Sequence, residues 1–420
     1  MNKDKFTPIA EVQGLTLTEL KNIIRQRPLY IWGAGFLGRA IKRLFERNGF
    51  TVKAFLDINP DLNMVESIAV LRPQNVIANI KKEGAFLIPA VGSQSAAIER
   101  HCLEAGLEKN KDFLPYMRMP RQQAVIEAGG ACNYACSVCV KQNSALNYMS
   151  AELYKKVLNK LAVENPLLLS VDLSLWREPL LNPEIAEIIR ITKEYVPCKL
   201  ITKLQHSVYL EKAVKASPDQ IQINAEGYEK TYEQNQTGGG RWQTFLENLH
   251  KLKEYKDKHN VNTEIYLMYI LYKNNAVDDF NKMRNLCASL GFKIGTDTAY
   301  LTPYDNFLDV CEGRVLSPQI QKIKDLLPWN IDAVLKLCVQ NGGKPCLCQR
   351  IFPVINYDAS VLLCHLFCKA GVIDNFFDVS YDEIVKMRVK NDFCKVCQRY
   401  GLHRLDIDVL KKYFPEKDMA

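Results

Sequence analysis

Apolar and polar positions along the chain alternate in two rhythms that succeed one another. PLYIW (28–32) is a continuous apolar run, followed by GAGFLG and then RAIKRLFERNG, whose apolar positions recur at helical spacing. VKAFLD ends the next apolar run on Asp57, AFLIPAVGS supplies another strand and turn, and AAIERHCLEAGL another helix. From Gln122 the pattern continues. The strands are QAVIEAG, LLLSVDLSLW, CKLITK, QIQINAEG and EIYLMYILYK. Between or after them come the helical PEIAEIIRITKEY, with Ile185, Ile188 and Ile189 on one face, and DDFNKMRNLCASLG, closed by Gly291. Strand–helix alternation of this length predicts an α/β protein built on a parallel sheet, open or partly closed as a barrel. Beyond Thr302 the pattern is less regular.

These shifts divide the chain into residues 1–118, 119–301 and 302–420, a small cysteine-rich α+β part coming last. No repeat, low-complexity segment or Pro- or Ser-rich linker marks the boundaries. The 420 residues suffice for two or three domains, and 47% hydrophobic with 24% charged residues is a globular composition. The net charge of +8 is dispersed, with bases and acids interleaved as in KLKEYKDKHN, so a solvated face is expected rather than a nucleic-acid surface. No apolar run spans a bilayer and MNKDKFTPIAEVQ holds no export signal, which points to a cytoplasmic protein without membrane contact.

In the first region, strand, Gly33-x-Gly35-x-x-Gly38, helix, strand and Asp57 follow in the order of a dinucleotide site. The glycines would let backbone approach a phosphate at the helix N-terminus, and Asp57 would accept hydrogen bonds from a ribose. The same glycines could serve only to pack the helix on the sheet. The arrangement resembles the Rossmann-like domains attached to glycan-modifying and nucleotide-sugar enzymes.

Fourteen cysteines are many for a reducing compartment, where clustered thiols more often bind metal than form disulfides. Cys102, Cys198, Cys287 and Cys311 stand alone and read as small buried hydrophobes. GGACNYACSVCVKQ holds Cys132, Cys136 and Cys139 in the pattern C-x3-C-x2-C, directly after the strand QAVIEAG. Three thiols leave one position open on a four-coordinate metal or a four-iron cluster, the arrangement a catalytic centre needs. Zinc with a distant fourth ligand, or unligated thiols, are the other readings of the spacing. In a barrel the loop falls on the face where strands end, the usual place for chemistry.

This spacing after a first barrel strand resembles the radical S-adenosylmethionine superfamily. The resemblance implies a partial (β/α)6 TIM-type barrel and a 4Fe-4S cluster on the three cysteines. S-adenosylmethionine would bind the fourth iron and be cleaved reductively to a 5′-deoxyadenosyl radical that abstracts hydrogen from a substrate. In LSLWREPLLNPEI, Glu178 and Pro179 match a Gly-Glu-like motif whose backbone meets the methionine amino group, with Arg177 where glycine is usual. Thr202 falls at a common Thr-Asn position, and Asn224 aligns with a polar residue that reaches the methionine carboxylate. YEQNQTGGGRWQTFLENL resembles a YE…RGG…N segment of one branch, with Thr237 in place of Arg. Val138 stands where an aromatic is frequent.

Seven cysteines lie between Cys338 and Cys397. Cys346 and Cys364 flank an expected hairpin (VINYD, VLLCH), and Cys394 and Cys397 form a C-x2-C pair. Four thiolates describe a closed site, for zinc or a cluster. The pattern resembles the SPASM or twitch extensions of the same superfamily, which implies one auxiliary 4Fe-4S cluster on Cys346, Cys364, Cys394 and Cys397. Cys348 is an alternative to Cys346, Ala359 occupies a usual glycine position, and Cys338 and Cys368 are spare. The expected substrate is a sugar- or nucleotide-linked small molecule, with a peptide as the alternative, and an external donor such as flavodoxin or ferredoxin supplies electrons. Arg177, Thr237 and Ala359 motivate a third reading, a non-catalytic metal- or nucleotide-binding protein.

Overall fold

The computed structural model describes residues 15–91, 94–119, 122–129, 132, 147–235, 238–343, 346, 354–367 and 370–405. Two compact units are distinguished. One runs from the N-terminal region through Gln123 and takes in Asn165–Ser170; the other consists of Ala124–Glu164 and the chain from Val171 onward.

In the N-terminal unit the strands are β1 (Leu29–Trp32), β2 (Val52–Leu56), β3 (Met64–Val65), β4 (Ile68–Leu71) and β5 (Phe86–Pro89), in the order β3-β4-β2-β1-β5. β4, β2, β1 and β5 are parallel, and β3 returns antiparallel along β4. One face of the sheet packs Leu29, Ile31, Phe55 and Phe86 against Ile41, Leu44 and Phe45 of the helix Phe36–Arg47. The other face packs Tyr30, Trp32, Leu56 and Leu87 with Ile98 and Cys102. Burial on both faces explains why these strands read as continuous apolar runs.

Six parallel strands follow: β6 (Gln122–Ile126), β7 (Leu168–Leu173), β8 (Cys198–Thr202), β9 (Gln220–Ala225), β10 (Glu264–Leu271) and β11 (Lys293–Thr298). They lie in sequence order across one sheet, with helices in the connections, which makes a partial barrel. On β10 buried Ile265, Leu267, Tyr269 and Leu271 alternate with half-buried Glu264, Tyr266, Met268 and Ile270. The fully buried set packs on one side of the sheet; the half-buried side mixes polar and apolar residues and carries ion pairs. Asp172 on β7 meets Lys199 on β8 at 2.7 Å, and Glu264 meets Lys293 across β10 and β11 at 2.6 Å.

The chain beyond Thr302 adds three short strands to this sheet. β12 (Val354–Ile355) lies parallel to β6, β13 (Val361–Leu362) is antiparallel to β12, and β14 (Val372–Ile373) is antiparallel to β13. The expected hairpin is thus β12–β13, and it extends the barrel sheet past its first strand. Ala359 in its turn has φ 65, the left-handed conformation that a glycine adopts without strain. Ala359→Gly is therefore expected to stabilise the protein, by about 1 kcal/mol in urea unfolding.

The less regular C-terminal sequence is mainly helical. Helices run over Asp305–Cys311, Pro318–Leu326, Ile331–Gln340, Tyr381–Lys390 and Asp392–Tyr400. Ser317, Asn330, Ser380 and Asn391 cap four of them, Ser380 with Glu383 in a reciprocal capping box. Among the described residues no helix is long and apolar enough to cross a membrane.

Candidate active site

The loop bearing the first three cysteines leaves at the end of β6 and returns at Met149. Its two ends are joined: Met149 N–H donates to Ala128 O at 3.1 Å, and Gly129 bridges antiparallel to Tyr148. Fully buried Asn182 holds both ends, its NH2 donating to Ala128 O at 2.9 Å and Met149 O at 3.0 Å, while its oxygen accepts from Glu184 N–H. Asn182→Ala would take the side-chain partner from Met149 O and Glu184 N–H and leave Ala128 O with Met149 N–H alone. We expect a loss of about 3 kcal/mol in stability and a reduced iron content, read by urea unfolding and iron analysis.

Cys132 lies near the exit of this loop and is half-buried. Cys136 and Cys139 lie outside the described residues, as do Val138, Thr237, Cys348 and Cys368.

The loop after β7 faces that exit. A Cβ on Gly129 would stand 2.8 Å from the Glu178 carbonyl oxygen, so glycine is needed for the two backbones to approach. Glu127, two residues before Gly129, is buried and fixes the same loop. Its carboxyl accepts from Trp176 N–H at 2.9 Å and Leu175 N–H at 3.1 Å, and lies 2.9 Å from the Ser174 hydroxyl. Burial raises its pKa, opposed by these bonds and by Arg177. Ser174 itself, at φ 73, accepts from Arg177 N–H and lies within hydrogen-bond reach of Arg177 O.

Glu178 turns its side chain into the protein. It caps the short helix Pro179–Leu181 through Leu180 N–H at 3.1 Å. It also receives Thr202 Oγ1 at 2.8 Å and Lys203 N–H at 3.2 Å, pinning the end of β8. Burial pushes its pKa up to about 7, although every one of these donors pulls the other way. The Glu178 and Thr202 side chains are therefore engaged with each other, and what Glu178 presents toward the cysteine loop is its backbone. Arg177 directs its guanidinium over the ring of Tyr357 in the β12–β13 turn, 5.1 Å from the centroid. The bulk that replaces glycine is thus accommodated against the hairpin.

Asn224 occupies the half-buried face of the sheet, on β9 beside Met268. Its oxygen accepts from Gln222 Nε2 at 2.9 Å, so its NH2 is the group it can offer a carboxylate. Beyond it, Glu226 forms an ion pair with Lys203 across the ends of β9 and β8. The Glu226 carbonyl accepts from Asn235 and Asn275 side chains, both at 2.8 Å.

Cys346, Cys364, Cys394 and Cys397 line one cavity, which holds a ready set of four sulfur donors. Cys394 and Cys397 sit one turn apart on the helix Asp392–Tyr400, Cys364 follows β13, and Cys346 follows the helix Ile331–Gln340. Burial and the neighbouring sulfurs push the Cys394 thiol up to about 12, and Cys397 in the same direction. Backbone N–H groups oppose this at the sulfurs: Leu366 donates to Cys364 Sγ at 3.4 Å, with Phe367, and His403 donates to Cys397. Held as thiolates, four sulfurs in an apolar wall would require a bound cation, and amide donors to sulfur are the support that ligating cysteines receive. Among the described residues no three His, Cys, Asp or Glu side chains gather tightly enough for a single metal ion; the thiols surround a space. Cys338 is buried where its helix meets Gly401, whose Cβ would fall 1.7 Å from Cys338 O.

In the N-terminal unit Gly33 and Gly38 are both required by packing. Gly33 has φ 114, and a Cβ on Gly38 would overlap Gly33 O at 1.9 Å. Gly35 faces open space at the start of the helix Phe36–Arg47. Asp57 accepts from Ala34 N–H and Asn59 N–H, both at 2.9 Å, which closes the glycine turn onto the end of β2.

Glu127 and Asn182 were not singled out in the sequence. A carboxylate ending an otherwise apolar strand, and an amide in a proline-flanked turn, were the signals present.

Residues 126–286 match the Radical SAM superfamily. No curated protein matches the chain. Among solved structures, Streptococcus suis SuiB bound to S-adenosylmethionine is similar over 70% of this chain and 67% of its own, at 12% identity and a TM-score of 0.43. Native anSMEcpe with bound AdoMet is similar over 71% and 87%, at 15% identity and 0.42. BtrN in complex with AdoMet and 2-DOIA is similar over 69% and 92%, at 15% and 0.36. The matched segment opens at the end of β6, takes in the three-cysteine loop and runs through the parallel strands to the helix after β10: this chain carries a radical S-adenosylmethionine superfamily domain.

Proposed function

We propose that the protein is a radical S-adenosylmethionine enzyme in which Cys132, Cys136 and Cys139 hold a 4Fe-4S cluster. The observation that carries this is the anchoring of the three-cysteine loop at both ends by Asn182, against the loop of Arg177 and Glu178, within the segment that matches the superfamily. With cluster and cosubstrate bound, the chemistry supplied is reductive cleavage of S-adenosylmethionine to methionine and a hydrogen-abstracting 5′-deoxyadenosyl radical. The chain's own part is placement. Glu127 and Ser174 shape the loop whose backbone would meet the methionine amino group, and Asn224 would offer its NH2 to the methionine carboxylate. An external one-electron donor such as flavodoxin or ferredoxin serves the cluster.

Cys346, Cys364, Cys394 and Cys397 hold one auxiliary 4Fe-4S cluster in this reading. Their common cavity and the amide donors at Cys364 and Cys397 support it. The substrate we favour is a sugar- or nucleotide-linked small molecule, on the strength of the parallel βαβ unit at the N-terminus and the open helix end at Gly35. Gly33, Gly38 and Asp57 would then support that site as scaffold for the turn.

Anaerobic reconstitution followed by iron and sulfide analysis tests the two-cluster arrangement. About eight irons per chain are expected, falling to about four in Cys394→Ala/Cys397→Ala. Zinc in place of iron at the C-terminal set, or an iron content unchanged by the double substitution, contradicts it.

A further inference from the structure

We propose that Arg388 sets the reduction potential of the C-terminal four-thiol site: its guanidinium forms part of the cavity wall and stabilises the reduced form of the iron–sulfur cluster held there. The inference rests on the reading of Cys346, Cys364, Cys394 and Cys397 as cluster ligands.

The wall that these thiols share is otherwise largely apolar, with Leu363, Leu366, Phe367 and Phe393. Arg388 is only 4% exposed and lines the same cavity. It arrives on the helix Tyr381–Lys390, which carries none of the four thiols, so its placement is independent of theirs. That helix is fixed at its start by the Ser380–Glu383 box and followed by Asn391, which caps the next helix and also bonds Ala370 O.

A cluster with four thiolates is negative in both oxidation states and gains one further negative charge on reduction. In a poorly polarisable wall a fixed positive charge acts strongly on that change. Arg388 lies within electrostatic range of the Cys364 and Cys394 sulfurs. Its field favours the added electron and raises the potential.

The test uses the full chain with Cys132, Cys136 and Cys139 replaced by alanine, so that only the C-terminal cluster is read. Midpoint potentials are measured by EPR-monitored redox titration for Arg388 as found, Arg388→Lys and Arg388→Met. The expected result is a shift to more negative potential in Arg388→Met, largely reversed in Arg388→Lys. Should Arg388→Met fail to retain iron, Arg388→Gln, which is polar but uncharged, must show the negative shift. A cluster at full iron content with an unchanged potential in the uncharged variant overturns the proposal. So does an equal shift in Arg388→Lys, which would make shape the determinant. Failure of the triple-alanine chain to bind iron at all would instead overturn the ligand reading, and the proposal with it.

Discussion

Cys136→Ala is expected to abolish 5′-deoxyadenosine formation and to remove about four irons per chain, leaving the C-terminal complement in place. The loop supplies three thiols in the only C-x3-C-x2-C spacing of the sequence. Losing one leaves two protein ligands for a four-iron cluster, and the open position that a cosubstrate needs disappears with the cluster. Because Asn182 and the Met149 N–H tie the ends of the loop independently of any thiol, the fold should survive. Circular dichroism and the urea midpoint of the iron-free protein are therefore expected to match those of the iron-free parent. Iron loss coupled to global unfolding would show that the loop, not the clamp, organises this end of the sheet.

Glu178→Ala should have the largest effect on stability of any single change near the site. It leaves Leu180 N–H, Lys203 N–H and the Thr202 hydroxyl without their acceptor in a buried position, a cost of about 3–5 kcal/mol. The pH dependence carries its own sign. The carboxyl titrates near 7 when folded, against an ordinary 4.5, so folding takes up a proton between those values. The stabilisation from that proton is complete below about pH 4.5 and is lost as pH rises through 7, amounting to about 3 kcal/mol. Urea midpoints of the parent should therefore fall from pH 5 to pH 8, and the slope should flatten in Glu178→Ala. Glu127, raised in the same direction, retains part of it. A midpoint that rises over this range, or a slope untouched by the substitution, would contradict the account of Glu178.

Periodicity made the parallel strands legible, because burial imposes a pattern on consecutive residues. β10 reads as the apolar run IYLMYIL although its burial alternates, and β1 reads as the continuous apolar run of a strand covered on both faces. The second cysteine set was legible for a different reason: spacing along a helix and across a hairpin survives folding, so Cys394, Cys397, Cys364 and Cys346 could be grouped before their cavity was seen.

The contacts that organise the site were not legible. Glu127 meets residues almost fifty positions away, Asn182 reaches Ala128 by a similar span, and Arg177 meets Tyr357 across most of the C-terminal half. No local pattern encodes such pairs. The C-terminal helices are a different case, since Ser317-Pro318, Asn330 and Ser380-x-x-Glu383 are cap signals that the cysteine spacing overshadowed. The glycines of GAGFLG teach the opposite lesson. Gly33 and Gly38 are demanded by the turn and by helix packing, so their presence does not by itself require a nucleotide.

Radical cleavage of S-adenosylmethionine by this chain is read out by 5′-deoxyadenosine formation. The protein is reconstituted anaerobically with iron and sulfide, reduced, and given S-adenosylmethionine. 5′-Deoxyadenosine and methionine are expected from the parent and neither from Cys136→Ala. An iron-loaded parent that neither cleaves S-adenosylmethionine nor changes the spectrum of its cluster on addition of S-adenosylmethionine would contradict it.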